Sequence, residues 1–398
     1  MADTTIVQGD PAEVTAWSHR TFTQALRSCT GARLMAAGLN PRDQTNFVQW
    51  FDELSKGPGS SVVFPLVPNP TGKGVIGDAP MAGQGTPLKP FTDKIYIDQY
   101  RKMVQLVGRM SQQRVAYSER NQAKVGLANY HKDALDISLF NQACGNTFQT
   151  FAGYTGLNAV SAPDSSHWFF ANDKANEAAL TSTDTFHPFY IDQFVAMAQG
   201  GLPFPIKPVV IKGVEIQGVL FLTQWQVRDL KATFGEGGWG AIYQAAIQGG
   251  QITGNPIFTG AIGFRNNVVI HQDTRVCWGS TSQNQVFDPV TQTMQPAPTA
   301  LGVSTSTPSS PTPDGVYSVN RAVFLGAQAI GYASGAIEGP DGKPLRVTWN
   351  EELHDGANQL WIYAGMIGGL KKLRFMNMDY ATVVCSTWGQ PTQPALPV

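Results

Sequence analysis

Charge is scarce in this sequence. Lys, Arg, Asp and Glu make up 14% of 398 residues, against about 25% in an average soluble domain. The net charge is -1, with no basic tail and no acidic run. Neutralising phosphates needs a concentrated basic footprint, so the composition argues against nucleic-acid binding as the main activity. The KKLR run at Lys371–Arg374 is too short for such a patch and reads as a solvated strand edge. Cysteine is equally sparse. Cys29, Cys144, Cys277 and Cys385 lie far apart and form no CxxC, which excludes a disulfide framework and a zinc ribbon and predicts isolated thiols of a reducing compartment. No apolar run approaches the ~20 residues that cross a bilayer. The opening MADTTIVQGD has neither the basic nor the apolar region of a signal peptide. A soluble, cytoplasmically made protein is expected. Apolar content is nevertheless 42%, and a surface so poor in charge suits a chain that is covered by copies of itself.

Motifs for chemistry are also missing. TGKGVIGDAPMAGQG has the glycines of a phosphate loop, but Lys73 is followed by Gly74 and more loop, where a P-loop needs Ser or Thr and then a helix. In GYASG, Gly331–Gly335, the serine stands one position too late for a nucleophile elbow. EELHDG, Glu351–Gly356, gathers Glu351, Glu352, His354 and Asp355 in local spacing without a second ligand set, so it reads as a solvated turn. His19, His131, His167, His187 and His271 are scattered and read as surface or capping residues. The tryptophans have no basic groove around them and read as core or interface. No catalytic residue, cofactor site or metal site is expected.

What is there is a set of unequal segments. Residues 1–60 are polar, with short helices expected over Ala12–Cys29 and Thr45–Leu54. Two β-type segments, Val62–Val67 and Lys94–Tyr100, then bracket a stretch dense in Gly and Pro. Ile95 and Ile97 alternate with Tyr96 and Asp98. A long two-stranded excursion is marginal alone and needs a partner. From Ser111 the pattern turns helical. Ala123, Leu127, Tyr130, Ala134, Ile137 and Cys144 form one stripe; Ser111 is the expected cap and Gly145 the expected end. Unbroken, this helix spans ~50 Å at 1.5 Å per residue; a break near Gly126 is the alternative. A helix is expected over Pro188–Gln199, a strand over Val214–Leu222, helices over Gln224–Thr233 and Trp239–Gln248, and a strand over Val268–His271.

Residues 279–319, rich in Ser, Thr, Pro and Gln, break every period and are expected to be exposed loop. VFLGAQAIGYASG, Val323–Gly335, reads as a helix with Ala322, Gly326, Ala329 and Ala333 on one face. A glycine in a helix interior costs ~1 kcal/mol, so close approach of another element is expected there. Strands follow at Leu360–Ile367, Lys372–Met376 and Tyr380–Thr387.

With Arg321 before it, VFLGAQAIGYASG resembles a marker of the major capsid proteins of N4-like tailed phages. GDAPMAGQGTPLKPFTDKIYIDQYR with QRVAYSERNQAK, GVEIQGVLFLTQWQVRDLK with NPIFTGAIGFRNNVVIHQD, and WNEELHDGAN with IGGLKKLRFMNMDYATVV resemble that family in the same order. The likeness runs from about residue 60 to residue 387, with 279–319 unmatched. One departure is Asp355-Gly356-Ala357-Asn358, where the family tends to have Asp-Tyr-Gly-Asn. The resemblance implies an α+β chain with the HK97-type capsid fold. It implies an N-terminal arm over 1–60, an E-loop over 61–105, a P-domain with the spine helix over 106–205, an A-domain over 206–344, and C-terminal strands over 345–398 that return to the P-domain. Gly77, Gly83 and Gly85 in the E-loop, Leu127 and Tyr130 on the spine, and Gly326 and Ala329 are the candidate assembly and packing residues. The implied product is an icosahedral shell of pentamers and hexamers around double-stranded DNA. Scaffolding, portal and decoration proteins would be partners, and no membrane is involved. A compartment shell of the same fold and an α/β enzyme centred on residues 200–275 are the alternatives.

Overall fold

The computed structural model describes residues 30, 34, 46–51, 59–66, 74–77, 91–211, 214–232, 261–281, 283–302, 319–335, 337–338, 344–345 and 347–389. Its main strands in chain order are β1 (Val48–Phe51), β2 (Ser61–Leu66), β3 (Phe91–Tyr96), β4 (Asp98–Val107), β5 (Trp168–Phe170), β6 (Gly218–Leu222), β7 (Ala261–Arg265) and β8 (Val268–Gln272). They continue with β9 (Gln285–Asp288), β10 (Thr293–Pro296), β11 (Val319–Leu325), β12 (Ile330–Ser334), β13 (Val347–His354), β14 (Gln359–Lys372) and β15 (Thr382–Trp388). The helices are α1 (Arg109–Arg114), α2 (Glu119–Cys144), α3 (Phe189–Ala196) and α4 (Gln224–Ala232).

Two sheets organise these elements. A six-stranded sheet has the order β5-β15-β11-β6-β8-β7, with β6 and β8 parallel, β15 and β5 parallel, and the other pairs antiparallel. A five-stranded sheet runs β1-β12-β14-β13, with β4 also on β14. The 14 residues of β14 serve three neighbours. Its first part pairs with β13 and β4, and its last part, Gly368–Lys372, pairs with β12.

Helix α2 is the spine, 26 residues long and therefore about 39 Å. It is shorter than the periodicity predicts because α1 stops at Arg114 and Val115 is extended. Ser118, not Ser111, caps it by accepting from the Asn121 N–H. Gly145 ends it as expected, at φ 65, the left-handed conformation that glycine adopts without a Cβ penalty. Gly126 is mid-helix with open space beside it, so the break falls before the helix and not at that glycine.

Along the stripe, Ala123 and Leu127 are buried with Trp349, Ile362 and Ala364, while Tyr130 and Ile137 are half-buried. The C-terminal turns are buried all round from Ser138 to Cys144. Polar side chains there make this possible. Asn141 donates to the Tyr154 and Pro298 carbonyls, and Gln142 donates to the Thr155 carbonyl at 2.7 Å. Leu127 is 1% exposed, so Leu127→Asp places an unpaired charge in apolar surroundings. A loss on the order of 4 kcal/mol is expected, read as insoluble protein; a soluble variant with wild-type denaturant midpoint would show that this face is not core.

The small-residue helix is not a helix. Its residues form β11, a turn, and β12, and every residue of both strands is buried. A short apolar run buried on both faces has no alternation, so its period cannot separate strand from helix. β11 lies in the six-stranded sheet and β12 in the five-stranded one, so this stretch is the corner that joins them. Three other stretches differ from their expected form in whole or in part. Thr45–Leu54 includes β1, which pairs in parallel with β12; Phe47 and Val48 are wholly buried, unlike a polar arm. Residues 279–319 are not irregular throughout: they contain the β9–β10 hairpin, which is exposed, while Ala300 and Leu301 after it are buried, and 303–318 lie outside the described residues. Glu351–His354 is the end of β13, with the turn confined to the residues after it.

Helix α4 and strand β8 stand where the sequence places them, and Thr223 accepts from the Gln226 N–H at the start of α4. The expected strand Val214–Leu222 is split at Gln217. The expected helix Pro188–Gln199 is α3 followed by a wider turn over Met197–Gly201. Trp239–Gln248 lies outside the described residues, as does Ala12–Cys29.

Candidate functional site

The candidate surfaces start at the hairpin of β2 and β3. Its root is fixed to its own chain. Val62 and Ile95 are buried with Ala333, Leu373 and Phe375. Asn158 holds Tyr96 by both backbone groups, donating to its carbonyl at 3.0 Å and accepting from its N–H at 2.9 Å. Asp93 takes the Lys371 ammonium at 2.5 Å and the Arg374 N–H at 2.9 Å. Between the two strands the situation reverses: Ile76 is 91% exposed, and among the described residues Gly77, at φ 68, has no atom within 4 Å of where a Cβ would stand. Gly83 and Gly85 lie outside the described residues.

Tyr130 of α2 stacks on Tyr100 of β4, their hydroxyls hydrogen-bonded, with the Lys102 ammonium 5.1 Å above the Tyr130 ring. Beside them His131 is buried, and its Nε2 lies 3.2 Å from the Ala364 carbonyl. That oxygen only accepts, so Nε2 carries the proton. Burial pushes the imidazole below its usual 6.5, outweighing the Ala364 bond. A group with a depressed folded-state value contributes stability above its unfolded value and loses it as pH falls. Between pH 7 and 5 the melting temperature of wild type is therefore expected to fall more steeply than that of His131→Gln. Equal slopes would contradict a neutral buried imidazole.

Gly326 opens the turn between β11 and β12, and its N–H donates to the Ala381 carbonyl at 2.8 Å. A Cβ there would stand 2.2 Å from Ile206 Cγ2. The close approach expected at this glycine exists, but at a sheet corner and not on a helix face. Ala329 closes the same turn; it is wholly buried, and its carbonyl accepts from the Leu373 N–H at 3.1 Å. Gly326→Val overpacks the corner, an expected loss of about 1–3 kcal/mol. An unchanged denaturant midpoint would mean that Ile206 moves aside freely.

The polar residues that hold the two sheets to the spine are the ones sequence reasoning missed. Arg321 of β11 is buried and bidentate to Glu177, Nε–Oε1 2.7 Å and Nη2–Oε2 2.9 Å. Its Nη1 donates to the Cys144 and Gly145 carbonyls at 3.0 and 3.1 Å, closing the C-terminus of α2. Its guanidinium lies 4.9 Å from the Trp168 ring, and Ser386 bridges Trp168 and Glu177. Although burial works against the cation, the Glu177 carboxylate outweighs it and raises the guanidinium above its ordinary range. An arginine inside the apolar run VNRAVFL is the signal that could have found it.

The KKLR run is likewise not a solvated edge. Lys372 is 1% exposed and meets Asp379 at 2.7 Å; Arg374 meets the same carboxylate at 3.0 Å. Burial pushes the Lys372 ammonium down and the Asp379 carboxyl up. The Asp379 N–H donates to Asp164, which is also bound by His167 and Ser166. Burial opposes the Asp164 charge, yet these bonds hold its carboxyl well below the usual carboxylate range. His131, His167 and His271 are buried, against the surface reading.

Exposed apolar surface remains. The β9–β10 hairpin presents Val286, Phe287, Val290 and Met294, the last three at 60%, 88% and 54% exposure. Phe148, Phe151 and Phe189 are exposed elsewhere. An open groove of about 800 Å³ follows the edge strand β5, lined by Pro163, Trp168, Phe170, Lys174 and Ala178 among others. Scattered apolar residues are ordinary on a surface, but contiguous patches mark contact sites. Among the described residues no group of three or more His, Cys, Asp and Glu is placed to hold a metal ion, and no helix is long and apolar enough to cross a membrane.

Comparison with known proteins meets this architecture. The capsid of Ralstonia phage GP4 is similar at 25% identity, over 89% of this chain and 90% of that one, with a TM-score of 0.70. The Cyanophage Pam1 capsid is similar at 17% identity, over 88% and 91% of the two chains, with a TM-score of 0.62. The acid-stable capsid of Helicobacter pylori bacteriophage KHP30 follows at 13% identity, over 87% and 88%, with a TM-score of 0.58. No curated protein matches the chain. The family described as "Phage capsid protein" matches residues 5–388. The fold is α+β and HK97-type, and the chain belongs to the phage capsid protein family.

Proposed function

We propose that this chain is the major capsid protein of an N4-like tailed phage. It assembles into pentamers and hexamers of an icosahedral shell that encloses the double-stranded genome, and it is built in the cytoplasm of the host bacterium. The observation that carries the reading is the β2–β3 hairpin. Its root is fixed by buried Val62 and Ile95 and by the Asp93–Lys371 pair, while Ile76, in the segment between the two strands, is almost fully exposed. A strand pair with such an outer end needs a neighbouring surface, which in a shell is the adjacent subunit. Capsid proteins are not enzymes, and the chain acts through its surfaces.

The division proposed is an arm over 1–60, an E-loop over 61–105, a P-domain over 106–205, an A-domain over 206–344 and returning strands over 345–398. The sheet order supports much of it. β6, β7, β8 and β11 make up most of one sheet, whereas β4, β13 and β14 lie with the spine in the other. Phe47 and Val48, in the last part of the proposed arm, are buried. Scaffolding, portal and decoration proteins are the further partners of such a subunit. The test is nuclease protection. Particles containing this chain, purified from infected cells, are expected to retain double-stranded DNA after nuclease treatment; particles that retain cargo protein and no DNA would overturn the phage assignment.

A further inference from the structure

Two apolar features of this chain stand uncovered, and each has the form that the other needs. The first is the β9–β10 hairpin, which pairs with no further strand among the described residues. Its base is rooted in the body. The Ala297 N–H donates to the Asn284 carbonyl at 2.7 Å, Asn284 Nδ2 donates to the Trp278 carbonyl at 3.2 Å, and the Leu301 N–H donates to the Gly279 carbonyl at 2.8 Å. Its turn is fixed by Asp288, which accepts from the Val290 N–H at 2.9 Å and from the Thr291 hydroxyl at 2.8 Å. Phe287 and Met294 stand opposite each other in the register. Both are exposed, as is Val290 in the turn. Asp288 is the one charged residue from Gln285 to Pro296, and its carboxylate is already engaged by its own turn. This is a fixed, nearly uncharged apolar knob.

The second feature is the groove beside β5. That strand is the edge of the six-stranded sheet, paired only with β15, and an open edge accepts extended chain. The walls are apolar: Pro163, Trp168, Phe170, Ala175 and Ala178 line it. Trp168 is held in place, donating from Nε1 to Ser386 at 2.9 Å with the Arg321 guanidinium 4.9 Å from its ring. Gly302 also lines the groove, and a Cβ there would stand 2.0 Å from Phe148 Cδ2. The exposed Phe148 ring therefore extends the apolar wall. At about 800 Å³ the groove has room for several side chains. Its charges are mostly answered within the chain: Lys174 meets Asp184 at 3.8 Å and Glu177 meets Arg321 at 2.7 Å.

We propose that the β9–β10 hairpin of one copy seats Phe287, Val290 and Met294 in the β5 groove of a neighbouring copy. The chain does not fill its own groove with its own hairpin, because these three side chains are exposed and the groove is open. A second copy brings both halves of the contact at once. Neither half presents a cluster of unanswered charge, so neither calls for a charged partner, and a chain with 14% charged residues has the composition of a subunit covered by its own kind. Knob and groove are different patches, so the contact is heterologous; repeated head to tail, it closes a ring. The inference rests on the capsid reading for the presence of adjoining copies.

Photo-cross-linking tests this on the full chain. With p-benzoylphenylalanine in place of Val290, particles are irradiated and run on a denaturing gel. The expected result is a ladder of covalent multimers, with position 290 joined to Pro163–Ala178, which trypsin releases on peptides 133–174 and 175–212. Dimers joined hairpin to hairpin, cross-links confined to one chain, cross-links to a different protein, or no cross-link at all would each overturn the proposal. Val290→Asp is the second measurement. Its side chain is exposed in the subunit, so the melting temperature of the unassembled chain should match wild type, while burying the new charge at the contact lowers particle yield about tenfold or more. Ala175→Asp in the groove should do the same. Wild-type yield from either variant would overturn the proposal. If the unaltered chain gives a small oligomer and no shells, the capsid reading fails, and the same cross-link on that oligomer still decides whether hairpin meets groove.

Discussion

A chain lacking Asn69–Pro87 is expected to fold and to build no shells. The deletion spares β2 and β3, and with them the contacts described at the hairpin root, among them Val62 and Ile95 in their cluster, Asp93 on Lys371, and Asn158 on Tyr96. Shortening a loop between paired strands changes closure entropy only weakly, so the melting temperature should stay near that of wild type. What is removed is the segment between the two strands, including the 91%-exposed Ile76, which on the proposed reading meets a neighbouring subunit. Sedimentation should show intact subunits and at least tenfold fewer particles. Normal shells from this deletion would contradict the E-loop assignment; an insoluble product would mean that the excursion is part of the subunit core.

Arg321→Ala should be among the most damaging single changes to stability. It leaves the Glu177 carboxylate, 13% exposed at its side chain, without its partner at 2.7 Å, and it removes two hydrogen bonds from the last carbonyls of α2. Breaking a buried pair by removing one member costs roughly 3–5 kcal/mol. Removing both charges with apolar groups of similar size is far milder, so Arg321→Met with Glu177→Leu should recover part of the loss, though not the bonds to Cys144 and Gly145. Denaturant midpoints of the two single variants and the double variant measure this. A loss below about 1 kcal/mol for Arg321→Ala, the level of an exposed pair, would contradict the clamp.

The parts of this fold that could be read from sequence are those where local chemistry decides. Gly145 ends α2 because the left-handed position favours glycine, and Ile95 is buried while Tyr96 is exposed because a half-buried strand alternates. α4 could be read from the cap at Thr223 and the apolar positions Val227 and Leu230. The capsid family was also legible, through ordered likeness and not through composition.

What could not be read depends on the second sheet. Val319–Leu325 and Ile330–Ser334 are buried on both faces, so nothing in their order records the neighbours that make them strands. Lys371–Arg374 looks solvated because its partners, Asp93 and Asp379, come from another sheet edge and a later turn. Cys277 meets Phe140 and Asn141 only because the fold brings the end of α2 against the segment after β8. Of the candidate surface residues, Leu127 was legible as core from its spacing. Gly326 was legible as crowded, with the wrong reason for the crowding.

Sedimentation of the chain from producing cells tests the central claim most directly. The account predicts that most of it runs as large closed particles, visible as shells by electron microscopy, with free subunits as the minor fraction. The chain recovered only as a small discrete oligomer, with no particles in any fraction, would contradict it.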